Sequence, residues 1–182
     1  ILRCCTELGV TTFCPVTSDR TLPQPNPKKL TRWRKIVAEA AEQSERAIVP
    51  GVQPVMGFSA VLQQLHLGQR YLCVARGDRP SLMSRLIPPA PLGKGGDERS
   101  PVSLGKGVEV APAPLGQAHP AITIATGPEG GWTPTEIEQA VAAGFDCVGL
   151  GSRVLRAVTA AIAATTIAMT AVESDLKIPS SD

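Results

Sequence analysis

AITIATGPEGGWTPTEIEQAVAAGFDCVGLGSRVLRAVTAAIAATTIAMT, residues 121–170, decides the fold. The apolar run AITIAT (121–126) reads as a strand and ends in Gly127-Pro128-Glu129-Gly130-Gly131. A helix start follows at once: Thr133 as N-cap, Pro134 at the first helical position and Glu136 completing a capping box. Gly144 suits the helix C-cap, and FDCVGL (145–150) supplies the next strand, running into Gly149-Leu150-Gly151. Strand, loop, helix, strand and loop in that order imply parallel strands, and ligands of such sheets sit beyond the carboxyl ends of the strands. Both glycine-bearing loops lie there. Glycines let main-chain atoms approach a ligand closely, although a glycine in a single loop also serves simply to make a turn.

The pattern restricts the guest. Neither GxxxxGK[ST] nor GxGxxG is present, so a nucleoside triphosphate or a dinucleotide pyrophosphate is not the natural ligand. Glu129 in the middle of the first loop repels phosphate and tolerates a cation, which suits a sulfonium-bearing cofactor.

Outward from this stretch, strands and helices alternate. A short helix (1–8) leads to a strand TTFCPV (11–16), a proline-rich loop (21–27), a helix KKLTRWRKIVAEAAEQS (28–44), a loop VPGVQPV (49–55), a helix FSAVLQQL (58–65) and a strand RYLCVA (70–75). The alternation predicts an α/β fold with a mostly parallel sheet covered on both faces. Residues 88–120 contain seven prolines, six glycines and no aromatic residue, too little apolar surface to offset the entropy of ordering. They read as a flexible insertion within one domain spanning 1–182, because RYLCVA before them and AITIAT after them look like neighbours in one sheet.

With 182 residues, 43% of them apolar, the chain is long enough to bury a core without staples. No uninterrupted apolar run is long enough for a bilayer, and the opening ILRCCTELGV lacks a signal peptide's charged start and cleavage site, so the expectation is no membrane partner and a cytoplasmic location. There is no initiator Met, and an upstream domain is expected. The five cysteines (Cys4, Cys5, Cys14, Cys73, Cys147) show no CxxC spacing and are accompanied only by His66 and His119, which argues against a zinc site, a disulfide scaffold or a histidine-activated nucleophile and predicts no metal. Small buried hydrophobes are the simplest reading of these thiols.

Net charge is only +2, but Lys28, Lys29, Arg32, Arg34 and Lys35 crowd eight residues without an acid. They open a helix whose apolar positions Leu30, Trp33, Ile36, Val37, Ala40 and Ala41 recur at helical spacing. Cations at the amino end and Glu39, Glu42 and Glu45 toward the carboxyl end oppose the helix dipole, an arrangement that costs a few tenths of a kcal/mol per charge. A phosphate partner would account for it, as would a solvated basic face that binds nothing.

At ATGPEGGWTPTEIEQAVAAGF followed by VGLGSRVLR the resemblance becomes specific: these residues look like the RsmE family, the 16S ribosomal RNA uridine N3-methyltransferases of the SPOUT superfamily. TELGVTTFCPV (6–16), SDRT (18–21), KKLTRWRKIVAEAAEQSERAIVP (28–50) and the final helix resemble family segments in the same order, so the similarity covers most of the chain outside 88–120. The resemblance implies a parallel-sheet α/β domain with a carboxyl-terminal trefoil knot, an exception to the rule that chains do not thread loops. It also implies a homodimer, a ribosomal RNA or small-subunit partner, and S-adenosylmethionine as methyl donor. By motif match the donor contacts would be Thr126, Gly127, Pro128, Glu129, Gly130, Gly131, Leu150, Gly151, Ser152 and Leu155. The expected RNA contacts are Arg20, Lys28, Lys29, Arg32 and Arg46.

Uridine N3 carries a proton and is a poor nucleophile, so the reaction needs an exposed base, help in losing the proton and an in-line methyl. Arg156 is the candidate for stabilising the developing uracil anion, with Arg153 as the alternative; a purely structural pairing of either remains open. The chain departs from the family pattern in three ways. Val158 stands where the family run LR-x-E-T-A has Glu, Cys4 stands where a Lys commonly precedes TELG, and these 182 residues hold no counterpart of the family's small amino-terminal RNA-binding domain, which is the upstream domain expected above. Three functions therefore stay in view: the uridine N3-methyltransferase, a related enzyme acting on another RNA position such as a ribose 2′-OH, and a catalytically silent RNA-binding dimer. The small side chains from Val158 to Met169 suit close packing against either the knot or a second subunit.

Overall fold

The computed structural model describes residues 1–21, 27–65, 68–87 and 121–175. The insertion expected at 88–120, together with His66 and His119, lies outside the described residues. The elements are, in chain order, α1 (Leu2–Glu7), β1 (Thr12–Phe13), β2 (Val16–Thr17), α2 (Pro27–Gln43), β3 (Gly51–Val52), β4 (Met56–Gly57), α3 (Phe58–Gln64), β5 (Gln69–Cys73), α4 (Leu82–Leu86), β6 (Ile122–Thr126), α5 (Pro134–Ala142), β7 (Asp146–Val148) and α6 (Ala157–Asp175).

All strand pairs are parallel. β5 is central in a three-stranded sheet of order β6-β5-β7, so the strands before and after the insertion are neighbours, as expected from their sequences. Leu72, Tyr71 and Cys73 on β5 are all buried, and successive side chains serve opposite faces. Leu72 joins Phe58, Leu62, Ala140 and Phe145 under α3 and α5, while Tyr71 and Cys73 join Leu82, Val148 and Ala164 under α4 and α6. The sheet is thereby covered on both faces. Register is what matters for function: Cys73 pairs with both Thr126 and Val148, so the three strands end level and their loops leave one edge side by side.

The amino-terminal half forms a broken parallel ribbon, β1 with β3 and β2 with β4. The strand expected at 11–16 is split at Cys14-Pro15, because proline cannot donate to the ladder. The loop expected at 49–55 contains β3. Its prolines hid the strand signal, yet Gly51 and Gln53 donate backbone bonds to Thr11 and Phe13 carbonyls at 3.0 and 2.9 Å. The five-residue helix α4, capped by Ser81 accepting from the Ser84 N–H, had no counterpart among the expected elements.

Helix signals were more legible. α5 carries the full capping box and Pro134 at its start, and it ends as a Schellman turn: Gly144 at φ +82° donates to Val141 and Phe145 donates to Ala140. In α6, Ala161, Ala164, Ala168 and Ala171 are buried at i, i+3, i+7 and i+10, and the helix packs within its own chain against α1, α4 and β6. Gly9 (φ +107°) leaves just enough room for Met169, whose Cε would lie 2.6 Å from an added Cβ. No helix among the described residues is long and apolar enough to cross a membrane.

Candidate active site

The loop after β6 is a turn in which Gly131 (φ +70°) donates to the Pro128 carbonyl at 2.8 Å, putting Glu129 and Gly130 at its exposed tip. Trp132 then folds back beneath it. Its Nε1 donates to the Cys73 carbonyl at 3.1 Å, and its ring stacks on Phe58 at 4.6 Å between centroids. A Cβ on Gly127 would stand 3.1 Å from that indole nitrogen, a tight contact that would press on Trp132, so packing rather than backbone angle favours glycine there. Thr126 closes the strand.

Residues 18–21 clamp this loop from outside. Arg20 donates to the Gly130 carbonyl at 2.8 Å. The Asp19 backbone N–H donates to Glu136 Oε1 at 2.9 Å, while Glu136 Oε2 accepts from the Thr133 N–H at 2.8 Å. The Thr133 hydroxyl lies 3.1 Å from Glu136 Oε2 and 3.2 Å from Asp19 Oδ2. Glu136 is only 4% exposed, and these donors are what make a buried carboxylate tolerable there. The SDRT segment, far away in sequence, thus holds the glycine-rich loop and the α5 amino terminus together.

The loop after β7 starts beside the loop after β5. Gly149 donates to the Pro80 carbonyl at 2.9 Å and accepts from Leu82 at 3.0 Å. Leu150 packs on the core under α4 and α6, and Leu155 is half-buried. Between them Gly151 sits at φ +112° with nothing within 4 Å of an added Cβ, a backbone open to an incoming ligand. Ser152, Arg153 and Arg156 are exposed, and Arg156 lies immediately ahead of α6, its carbonyl accepting from Ala160 at 2.8 Å. Among the described residues, neither arginine takes part in a hydrogen bond or ion pair. The structure therefore brings both glycine-bearing loops and both candidate arginines to one edge of the sheet, with Arg20 docked on the rim.

The remaining expected contacts divide. Lys28, Lys29 and Arg32 are exposed on the first turns of α2, and the first turn carries no acidic residue of its own. Further along α2, Lys35 and Arg3 of α1 both approach Glu39, at 3.8 and 4.0 Å, exposed pairs worth at most about 1 kcal/mol each. Arg46 has a different occupation: its guanidinium donates to the carbonyls of Thr6, Val10 and Gly9 at 2.7, 2.8 and 3.3 Å, capping the carboxyl end of α1. That role rests on contacts almost forty residues away and left no local signal.

A cleft of about 410 Å³ lies beside this site, lined by Ser18, Asp19, Phe58, Ser59, Glu136 and Gln139 among others, and includes no residue of the two glycine-bearing loops. Among the described residues no group of three His, Cys, Asp or Glu side chains is placed to hold a metal ion. Cys73, under the site, is no nucleophile at neutral pH, since burial pushes its thiol pKa up to about 12. A disulfide reagent at pH 8 is accordingly expected to leave Cys73 unmodified in the folded protein and to reach it after denaturation; mass mapping showing rapid native-state labelling would contradict this burial.

A family profile described as an RNA methyltransferase domain matches residues 1–88 and 101–169. Ribosomal RNA small subunit methyltransferase E of Synechocystis sp. is 40% identical over 88% of this chain and 45% of that protein, and the protein of the same name from Bacillus subtilis is 32% identical over 85% and 54%. A crystal structure of ribosomal RNA small subunit methyltransferase E from Neisseria gonorrhoeae, bound to S-adenosyl methionine, superposes with a TM-score of 0.69 at 35% identity, covering 93% of this chain and 58% of that one. The chain spans about half the length of the curated relatives it matches. With its parallel sheet, its level strand ends and a profile match over most of its length, the chain belongs to the RNA methyltransferase domain family and resembles the ribosomal RNA small subunit methyltransferases E within it.

Proposed function

We propose that the domain transfers a methyl group from S-adenosylmethionine to N3 of a uridine in 16S ribosomal RNA. The observation that carries this reading is that the 126–131 and 150–156 loops leave the same edge of the sheet, on either side of the central strand, in a chain so similar to those enzymes. The residues fit the donor: Gly151 offers open backbone, and the exposed Glu129 carboxylate complements a cationic sulfonium. Thr126, Gly127, Pro128, Glu129, Gly130, Gly131, Leu150, Gly151, Ser152 and Leu155 would hold it. When bound, the donor supplies an electrophilic methyl carbon.

The protein's own work is to hold the base in line and ease the loss of its N3 proton. Arg156, without a partner among the described residues and always charged, supports the negative charge that grows on the uracil carbonyl oxygens, with Arg153 in the same loop as the alternative. Arg20, Lys28, Lys29 and Arg32 form the basic approach for RNA, and Arg46 joins them only through whatever donors its α1 contacts leave free. The carboxyl-terminal trefoil knot, the homodimer and cytoplasmic work on ribosomes belong to the same reading. Support for the dimer comes from the exposed apolar side chains Met83 on α4, Ile87 just past its end, Val154 in the loop ahead of α6 and Val158 in the first turn of α6.

Val158 also favours a second reading. It is half-exposed at the first turn of α6, where the family pattern carries Glu, and a domain without that carboxylate would bind RNA silently. Incubating undermodified small ribosomal subunits with labelled donor decides the matter. N3-methyluridine in the digested RNA supports the proposal; a ribose methyl points to the related 2′-OH chemistry, and retained binding without label points to the silent domain. Replacing Lys28, Lys29 and Arg32 together by Ala is expected to weaken RNA binding and lower its log–log salt slope by about 2, at roughly 0.7–0.9 per phosphate contact. An unchanged slope would return that helix face to a solvated surface.

A further inference from the structure

Three loops leave the level edge of the sheet, and the third follows the central strand. Residues 74–81, VARGDRPS, run out from β5 between the two glycine-bearing loops, and residues 75–80 are all exposed. This loop is not free to swing. Its far end is stitched to the β7 loop by the Gly149–Pro80 and Leu82–Gly149 backbone bonds, a one-residue continuation of the sheet between Ser81 and Gly149. A Cβ on Gly149 would stand 3.8 Å from the Arg79 carbonyl and 3.9 Å from its Cβ, which places Arg79 at the root of the segment carrying Gly151, Ser152 and Arg153. Gly77, at φ +93°, makes the turn between Arg76 and Arg79, and the Arg79 Nε lies back over it, 3.8 Å from where a Cβ would be.

Neither Arg76 nor Arg79 has a hydrogen-bond or ion-pair partner among the described residues. With Arg153 and Arg156 they set four guanidiniums against two carboxylates, Asp78 and Glu129, along one edge. A planar guanidinium binds a phosphate through two parallel hydrogen bonds, and a backbone-pinned loop has already lost the freedom that binding would otherwise cost. An enzyme that must reach a base inside RNA also needs the flanking backbone fixed in position. Accepting the RNA substrate argued above, we propose that Arg76 and Arg79 grip the phosphates beside the target nucleotide, making the β5 loop the RNA-positioning wall of the site.

The test uses the full chain carrying Arg76→Ala and Arg79→Ala together, titrated with undermodified small ribosomal subunits over a series of salt concentrations and, separately, with S-adenosylmethionine. Subunit affinity is expected to fall on the order of tenfold or more and the log–log salt slope by about 1.5, with donor affinity unchanged. Arg76→Lys with Arg79→Lys should restore most of the slope, because lysine keeps the charge. Removing an exposed cation of α1 that already approaches Glu39, Arg3→Ala, should leave it unaltered. An unchanged slope in the alanine pair, an equal loss in the Arg3 control, or a loss of donor binding in place of RNA binding would each overturn the assignment. Wild-type chain that ignores the subunits overturns the RNA reading and this inference with it. Wild-type chain that binds them but transfers no methyl overturns only the activity, and the slopes still decide.

Discussion

Arg156→Ala is expected to lower the rate of methyl transfer by about 100- to 1,000-fold while leaving donor affinity nearly unchanged. The reasoning is electrostatic. Charge develops on the uracil oxygens only as the N3 proton leaves and N3 attacks the methyl carbon, so a guanidinium aimed at those oxygens acts on the transition state far more than on the ground state. Arg156 is exposed, free of partners among the described residues and anchored by the start of α6, so its removal disturbs no packing. Single-turnover rates and donor titrations on the same variant make the check. A comparable loss of donor binding would make Arg156 a donor contact instead, and an unchanged rate would transfer the role to Arg153.

Glu136→Ala is expected to cost about 3 kcal/mol of stability and to loosen the site as well. The carboxylate completes the α5 capping box by accepting from the Thr133 N–H, and it also accepts from the Asp19 N–H, each of these donors costing about 1–3 kcal/mol to leave unsatisfied when buried. Its loss detaches the SDRT segment, and with it the Arg20 clamp on Gly130. Denaturant unfolding measures the first effect and donor affinity the second. A variant as stable as the parent would mean that Glu136 is solvated in solution and the clamp is not formed.

Those two residues show what a sequence displays and what it hides. Glu136 was visible as half of a capping box because Thr133 lies three residues away, but its bond to Asp19 crosses 117 residues. The glycine-bearing loops were legible because strand, glycine, N-cap and helix follow one another along the chain, and the neighbouring of β5 and β6 was legible from two similar apolar runs. Arg46 was expected among the RNA contacts, and its bonds to the carbonyls of residues 6, 9 and 10 had no signal in the sequence around it. β3, two residues long, was hidden by the flanking Pro50 and Pro54, and α4 is too short to show a period. The arginines of the β5 loop were overlooked although the same rule, that ligands gather at the carboxyl ends of parallel strands, applied equally to the strand before them.

Calorimetric titration of the chain with S-adenosylmethionine tests most directly whether the loops at the level strand ends hold that compound. One saturable binding event per chain is predicted, abolished by Gly151→Val, which strains an exposed backbone position without touching the core. Absence of binding heat in the wild-type protein, or equal affinity in the Gly151 variant, would contradict the account.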